Sequence, residues 1–165
     1  MTVESIMSCR LEKLKPTDNA SYAFRLMHSR QIRNLPVVGE DNEFIGLFGV
    51  RRLIHLMLPK AAQIKFGLRD LSFMPDELGE LHHRLVDIGQ TPVIELLEPN
   101  KDLVFCKPST PFPEVLELLD KSADTSLPII VVDGYGNNKN KKNNKRLVGM
   151  VSAWDVLEKI VLNCL

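Results

Sequence analysis

The stretch Arg146-Leu-Val-Gly-Met-Val-Ser-Ala-Trp-Asp155, running on into Val156-Leu157, decides how the chain is read. Leu147 to Val151 is apolar and β-branched with one glycine, the composition of a buried strand. Ser152 stands where a helix N-cap belongs, and Asp155 follows one helical turn later. Strand, tight turn and helix start thus gather a hydroxyl, free backbone N–H groups and a carboxylate. Such a group suits a phosphorylated ligand: the N–H groups and hydroxyl face phosphate, and the carboxylate accepts from a sugar diol. The same Ser-x-x-Asp spacing is also close to a capping box, in which the two side chains only close the helix end. Both readings stay open on this stretch alone. What adds weight to the ligand is that the strand–helix unit occurs twice.

Working outward, Val3-Glu-Ser-Ile-Met7 is a short mixed segment, and Leu14-Lys-Pro16-Thr-Asp-Asn19 reads as a turn leading into a helix cap. Ala20 to His28 is expected to be a helix with Ala23, Leu26 and Met27 on its buried face. Leu35 to Val38 and Phe44 to Phe48 read as strands joined by a turn at Gly39–Asn42, followed by a helix over Val50–Leu58 that Pro59 stops. Shifted by 92 positions, Pro16 lands on Pro108, Leu26 on Leu118, Met27 on Leu119, Leu35-Pro36 on Leu127-Pro128 and Val37-Val38 on Ile129-Ile130. The second copy carries Thr110 as expected N-cap, with Pro111 at the first helical position. Its return strand and last helix are the opening stretch. Each copy is thus strand, helix, strand, strand, helix, a unit that buries its apolar faces better against a twin than alone.

The ordered set Val3-x-x-Ile-Met7, Pro16, Arg33-Asn-Leu-Pro-Val-Val38 and Ile45-Gly recurs as Val93–Leu97, Pro108, Leu127-Pro-Ile-Ile130 and Val148-Gly-Met-Val-Ser152-x-x-Asp155. This pattern resembles a tandem pair of cystathionine-β-synthase (CBS) domains, also called a Bateman module. The resemblance implies an α/β fold of two β-α-β-β-α repeats packed as a pseudo-twofold pair with a helical linker insertion. The expected segments are residues 1–59 for the first repeat, 60–90 for the linker and 91–165 for the second. Paired domains of this family commonly bind adenosine nucleotides between their repeats. In the family motif Gly-x-x-Ser/Thr-x-x-Asp the hydroxyl meets phosphate and the carboxylate meets the ribose diol. Gly149, Ser152 and Asp155 match it, with Met150 between them. From the first repeat the resemblance adds Ile32 and Arg33, the latter suited to phosphate by its paired donors, and Asp18 and Ala23 beside base and sugar. An aspartate at position 18 would repel phosphate. The matching positions in the first repeat are Gly46, Gly49 and Arg52, so hydroxyl and carboxylate are both missing there. Across that second, degenerate cleft the resemblance sets Thr110, Thr125 and Ser126.

Two segments fall outside the repeat. In the connection from Lys60 to Gln90, Pro75–Ile88 is expected to be a helix with Leu78, Leu81, Leu85 and Ile88 on one side and Gly89 as its stop. Residues 134–146, rich in Lys and Asn, form a basic insertion in the second hairpin and read as a solvated loop.

Lys and Arg number 21 and Asp and Glu 21, so no net field draws the 165-residue chain to nucleic acid or membrane. Cys9, Cys106 and Cys164 are odd in number and widely spaced, which indicates neither a disulfide framework nor a zinc knuckle. No membrane span and no signal segment are read, and a cytoplasmic setting is expected. His82 and His83 are neighbours on a helix and point apart, and His28 and His55 lack partner ligands, so no metal is expected. No nucleophile elbow appears, so no enzyme and no catalytic residue are expected. The leading expectation is a regulatory module that senses AMP, ADP or ATP, needs no cofactor, forms a homodimer and signals to an unidentified effector protein. The alternative is a ligand-free pair acting as a dimerisation or scaffold module. Nucleic-acid binding through the basic hairpin ranks below both.

Overall fold

The computed structural model describes residues 1–58, 78–122, 126–134 and 145–164. The elements are helix α1 (Ala20–Arg30), strands β1 (Asn34–Val38) and β2 (Phe44–Gly49), and helices α2 (Val50–Met57), α3 (Leu78–Gln90) and α4 (Val93–Leu96). Strand β3 (Phe105–Cys106), helix α5 (Phe112–Asp120), strands β4 (Ile129–Asp133) and β5 (Arg146–Val151) and helix α6 (Ala153–Cys164) complete the order. Strands β1 and β2 pair with each other. In the second sheet β4 lies between β3, parallel to it, and β5, antiparallel to it.

These elements group into two compact units that interleave along the sequence. One comprises Met1–Lys13, Val38–Gly46 and Pro99–Leu165; the other comprises Leu14–Val37 and Leu47–Glu98. The repeats are units of sequence, whereas these are units of packing. The difference lies in the opening residues of each repeat. In the first unit Val3 N donates to Thr110 O and Glu4 N to Pro108 O. In the second, Val93 N donates to Asp18 O and Ile94 N to Pro16 O. The two pairs of bonds join corresponding positions of the repeat, so each unit takes the opening segment of one copy and the helix-leading turn of the other.

The core of the first unit joins Val3, Ile6, Cys106, Val115, Ile129, Val131, Val151 and Val156. In β4, Ile129 to Val132 are all buried, as expected for a strand covered on both faces, whereas β5 buries alternate residues. Phe44 meets Phe105 edge to face at 5.7 Å, and Lys145 Nζ lies 3.8 Å from the centre of the Phe105 ring. In the second unit Ala20, Ala23 and Met27 bury one face of α1, and Asn19 caps that helix by accepting from Tyr22 N at 2.8 Å.

Several expectations are corrected. The opening segments Val3–Ser5 and Val93–Leu96 are helical turns, so the first strand expected of each copy does not lie there. The first strand of the second copy is instead Phe105–Cys106, and at the corresponding place in the first copy Leu14 forms a single bridge to Val37 among the described residues. Helix α5 starts one residue later than expected, at Phe112, because Thr110 Oγ1 accepts from Lys107 N and closes the turn before it. Gly89 does not stop the linker helix, which runs on to Gln90. It is buried against α1, where a Cβ would come within 3.3 Å of Ser21 Cβ, so its role is close helix packing. Pro59, Pro75, Thr125 and most of the basic insertion lie outside the described residues.

Cys106 illustrates how burial sets reactivity. Burial first, then the nearby Glu114 carboxylate, raise its thiol pKa from 9.0 to about 11, against a smaller opposing effect of the Thr110 hydrogen bond. Folding therefore favours the neutral thiol. That contribution is complete below pH 9 and disappears as pH rises from about 9 to about 11. At pH 8 the Cys106 side chain is held as the neutral thiol. Iodoacetamide is expected to label the exposed Cys9 in the native protein and Cys106 only after unfolding, as peptide mass spectrometry will read directly.

Candidate functional site

Strand β5 delivers the motif. Gly149 faces Val131 across the β4–β5 ladder, and on the other edge Met150 exchanges backbone hydrogen bonds with Ser8, at 2.9 and 3.1 Å. A side chain at position 149 would meet Met7 Sδ at 2.8 Å and Ser8 O at 3.0 Å. Glycine is required here by the close approach of the opening segment. The strand ends at Val151, and Ser152 turns the chain into α6.

At that turn the structure forms a reciprocal cap. Ser152 Oγ accepts from Asp155 N at 3.2 Å, and Asp155 Oδ2 accepts from Ser152 N at 2.6 Å and from the Ser152 hydroxyl. Asp155 Oδ1 accepts from the Ser8 hydroxyl at 3.2 Å. Three of roughly four acceptor positions on the carboxylate therefore have protein donors. Ser8 was not legible as a site residue, being 147 positions from Asp155. Only the docking of the opening segment on β5 brings them together.

Gly149, Met150, Ser152 and Asp155 all belong to the first unit; Asp18, Ala23, Ile32 and Arg33 belong to the second. Within that second unit, Arg33 is exposed and its carbonyl accepts from Val50 N. Ile32 is half-buried. The Asp18 carboxylate accepts from Lys15 N at 2.7 Å, which makes it the lock of the turn before α1. Ala23 is fully buried and offers no surface to a ligand in this structure.

The matching positions of the first repeat are filled by the protein itself. A Cβ at Gly49 would lie 2.4 Å from Asn34 Oδ1, so a serine in that place would require Asn34 to move. Arg52 Nε donates to Leu96 O at 2.6 Å, and its Nη1 pairs with Glu98 at 2.8 Å. A guanidinium has no acceptor, so the residue at the motif's carboxylate position cannot itself receive a hydroxyl hydrogen bond from a diol, and the Glu98 carboxylate beside it is already paired with Arg52. Among the described residues no group of three or more His, Cys, Asp or Glu forms a possible metal site, and no helix is long and apolar enough to cross a membrane.

The CBS domain model matches residues 3–59 and 93–162, the two repeats that the backbone contacts set in correspondence. The chain belongs to the CBS-domain family. This CBS pair also superposes along nearly its whole length on known structures. CBSX2 from Arabidopsis thaliana is 20% identical with a TM-score of 0.69, covering 99% of this chain and 96% of that one. The structure of CBSX2 in complex with AMP matches at 20% identity and a TM-score of 0.67, over 99% and 98% of the two chains. A CBS-domain protein of unknown function from Kribbella flavida matches at 21% identity and 0.68, over 98% of each. At these identities the likeness establishes the α/β fold of a CBS pair. No curated protein matches the sequence significantly.

Proposed function

We propose that this CBS pair is a regulatory module that binds an adenosine nucleotide at Gly149, Met150, Ser152 and Asp155. The observation that carries the reading is the convergence of the Ser152 hydroxyl, the Asp155 carboxylate and the start of α6 at the one glycine where the chain approaches β5 closely. The AMP complex of CBSX2 supports the ligand class. The family resemblance further assigns Arg33 to the phosphate, which Arg33→Ala tests separately. A melt against AMP, ADP, ATP, S-adenosylmethionine and NAD tests the reading as a whole. A ligand at a hundred times its Kd that binds only the folded state stabilises it by about 2.7 kcal/mol, a rise in melting temperature that is easily measured. No shift with any of the five would refute it.

A second reading is favoured by the hydrogen bonds of Asp155 itself: its carboxylate is already engaged as a helix cap, as a ligand-free scaffold module would have it. Either reading has the chain forming a homodimer. Trp154, Leu157 and Val161 occupy one face of α6 and are 79%, 51% and 52% exposed, a stripe that a second copy would cover. Light scattering at micromolar concentration is expected to give the mass of a dimer; a monomer mass throughout would exclude it.

A further inference from the structure

The two units carry corresponding contacts that differ in kind. Val3 corresponds to Val93 and Ile6 to Leu96, by burial and by the matching backbone bonds described above. On that register Ser8 corresponds to Glu98, while Asp155 corresponds to Arg52. In one unit the opening segment, beyond its backbone bonds to Pro108, Thr110 and Met150, has its Ser8 end tied by a hydroxyl donating to a carboxylate at 3.2 Å, an exposed contact. In the other it is tied by a guanidinium to a carboxylate at 2.8 Å and to the Leu96 carbonyl at 2.6 Å. The first tie is exchangeable, because any ligand hydroxyl is the same kind of donor as Ser8. The second resists exchange, since a neutral hydroxyl is a weaker donor to Glu98 than the Arg52 guanidinium, which also holds the Leu96 carbonyl.

We propose that Asp155 exchanges Ser8 for a ribose hydroxyl when nucleotide binds, loosening the end of the opening segment at Ile6–Cys9, while Arg52 and Glu98 keep Val93–Glu98 in place. This rests on the nucleotide reading above. A diol brings two donors to a carboxylate that has three of its positions taken, and the bond to Ser8 is the longest and most exposed of the three donors it accepts. It is therefore the one released. One of the two opening segments then reports the ligand and the other stays fixed, which gives the module a directional output.

Hydrogen exchange with AMP as the probe tests this. Saturating AMP should speed exchange of the Ile6–Cys9 amides roughly three- to tenfold, the loss of one modest hydrogen bond, and leave Glu95–Leu97 unchanged. Ser8→Ala without nucleotide should produce the same acceleration. The sign of its effect on affinity is diagnostic: Ser8→Ala should bind AMP more tightly by a similar factor, because no bond has to be released first. Glu98→Gln should speed exchange at Glu95–Leu97 in the nucleotide-free protein. If Ser8→Ala bound AMP as wild type does or more weakly, while Asp155→Ala lost affinity, the exchange mechanism alone would be overturned. Unaltered exchange in either Ser8→Ala or Glu98→Gln would also overturn it. Failure of wild type to bind any of the five adenosyl compounds, or normal binding by Asp155→Ala, would overturn the nucleotide reading and this inference together.

Discussion

Phe48→Ala is expected to destabilise the protein by about 3–5 kcal/mol, the usual cost of emptying a buried phenylalanine site. Phe48 is fully buried near the end of β2, one residue before the Gly49 that starts α2. It is among the largest fully buried side chains of the protein. The loss is a large share of the roughly 5–15 kcal/mol that holds an ordinary domain together. Urea unfolding checks it, with Ile54→Ala as the control. Ile54 is on the neighbouring helix but 54% exposed, so its truncation should cost about 0.5 kcal/mol or less. A Phe48 penalty below about 1 kcal/mol would mean that the β2–α2 junction repacks freely around the emptied site.

Asp155→Ala is expected to weaken AMP binding ten- to a hundredfold. A carboxylate that accepts from ribose hydroxyls makes charge-assisted bonds worth about 1.5–3 kcal/mol, and each 1.4 kcal/mol is tenfold in affinity. The same substitution removes half of the reciprocal cap on α6, for about 1 kcal/mol of stability. The two effects can be separated. Asp155→Asn keeps an oxygen that can cap but loses the charge and one acceptor, so its binding should fall further than its stability. Arg52→Ala should leave AMP affinity within about twofold, because Arg52 is committed to Leu96 and Glu98 and has no acceptor for the sugar.

What the sequence made legible follows a physical division. Helix α1 was placed to within two residues because Asn19 is a strong local cap and Ala23, Leu26 and Met27 repeat at helical spacing. Strands β1 and β2, helix α2 and the β5–α6 turn were legible for the same reason: their signals lie within a few residues of one another. The opening segments were not. Val3–Ser5 and Val93–Leu96 take their conformation from backbone partners more than seventy residues away, at Thr110 and Pro108 or at Asp18 and Pro16. Composition carries no trace of such partners. Gly89 misled because glycine serves equally as a helix stop and as a point of close packing, and only the position of Ser21 distinguishes them. The reciprocal cap of Ser152 and Asp155 was legible from their spacing. Ser8, which completes the hydrogen bonds of Asp155, was hidden by distance along the chain, and the filling of the first-repeat position by Asn34 and Glu98 was visible only as missing residue types.

The most direct measurement is a calorimetric titration of AMP into wild type and Asp155→Ala in the same buffer. Expected is one site per chain in the wild type and a ten- to hundredfold weaker site in the variant, at unchanged stoichiometry. Equal affinities, or no binding by the wild type of AMP or of any other compound of the panel, would contradict the nucleotide site and leave Ser152 and Asp155 as the cap of a helix.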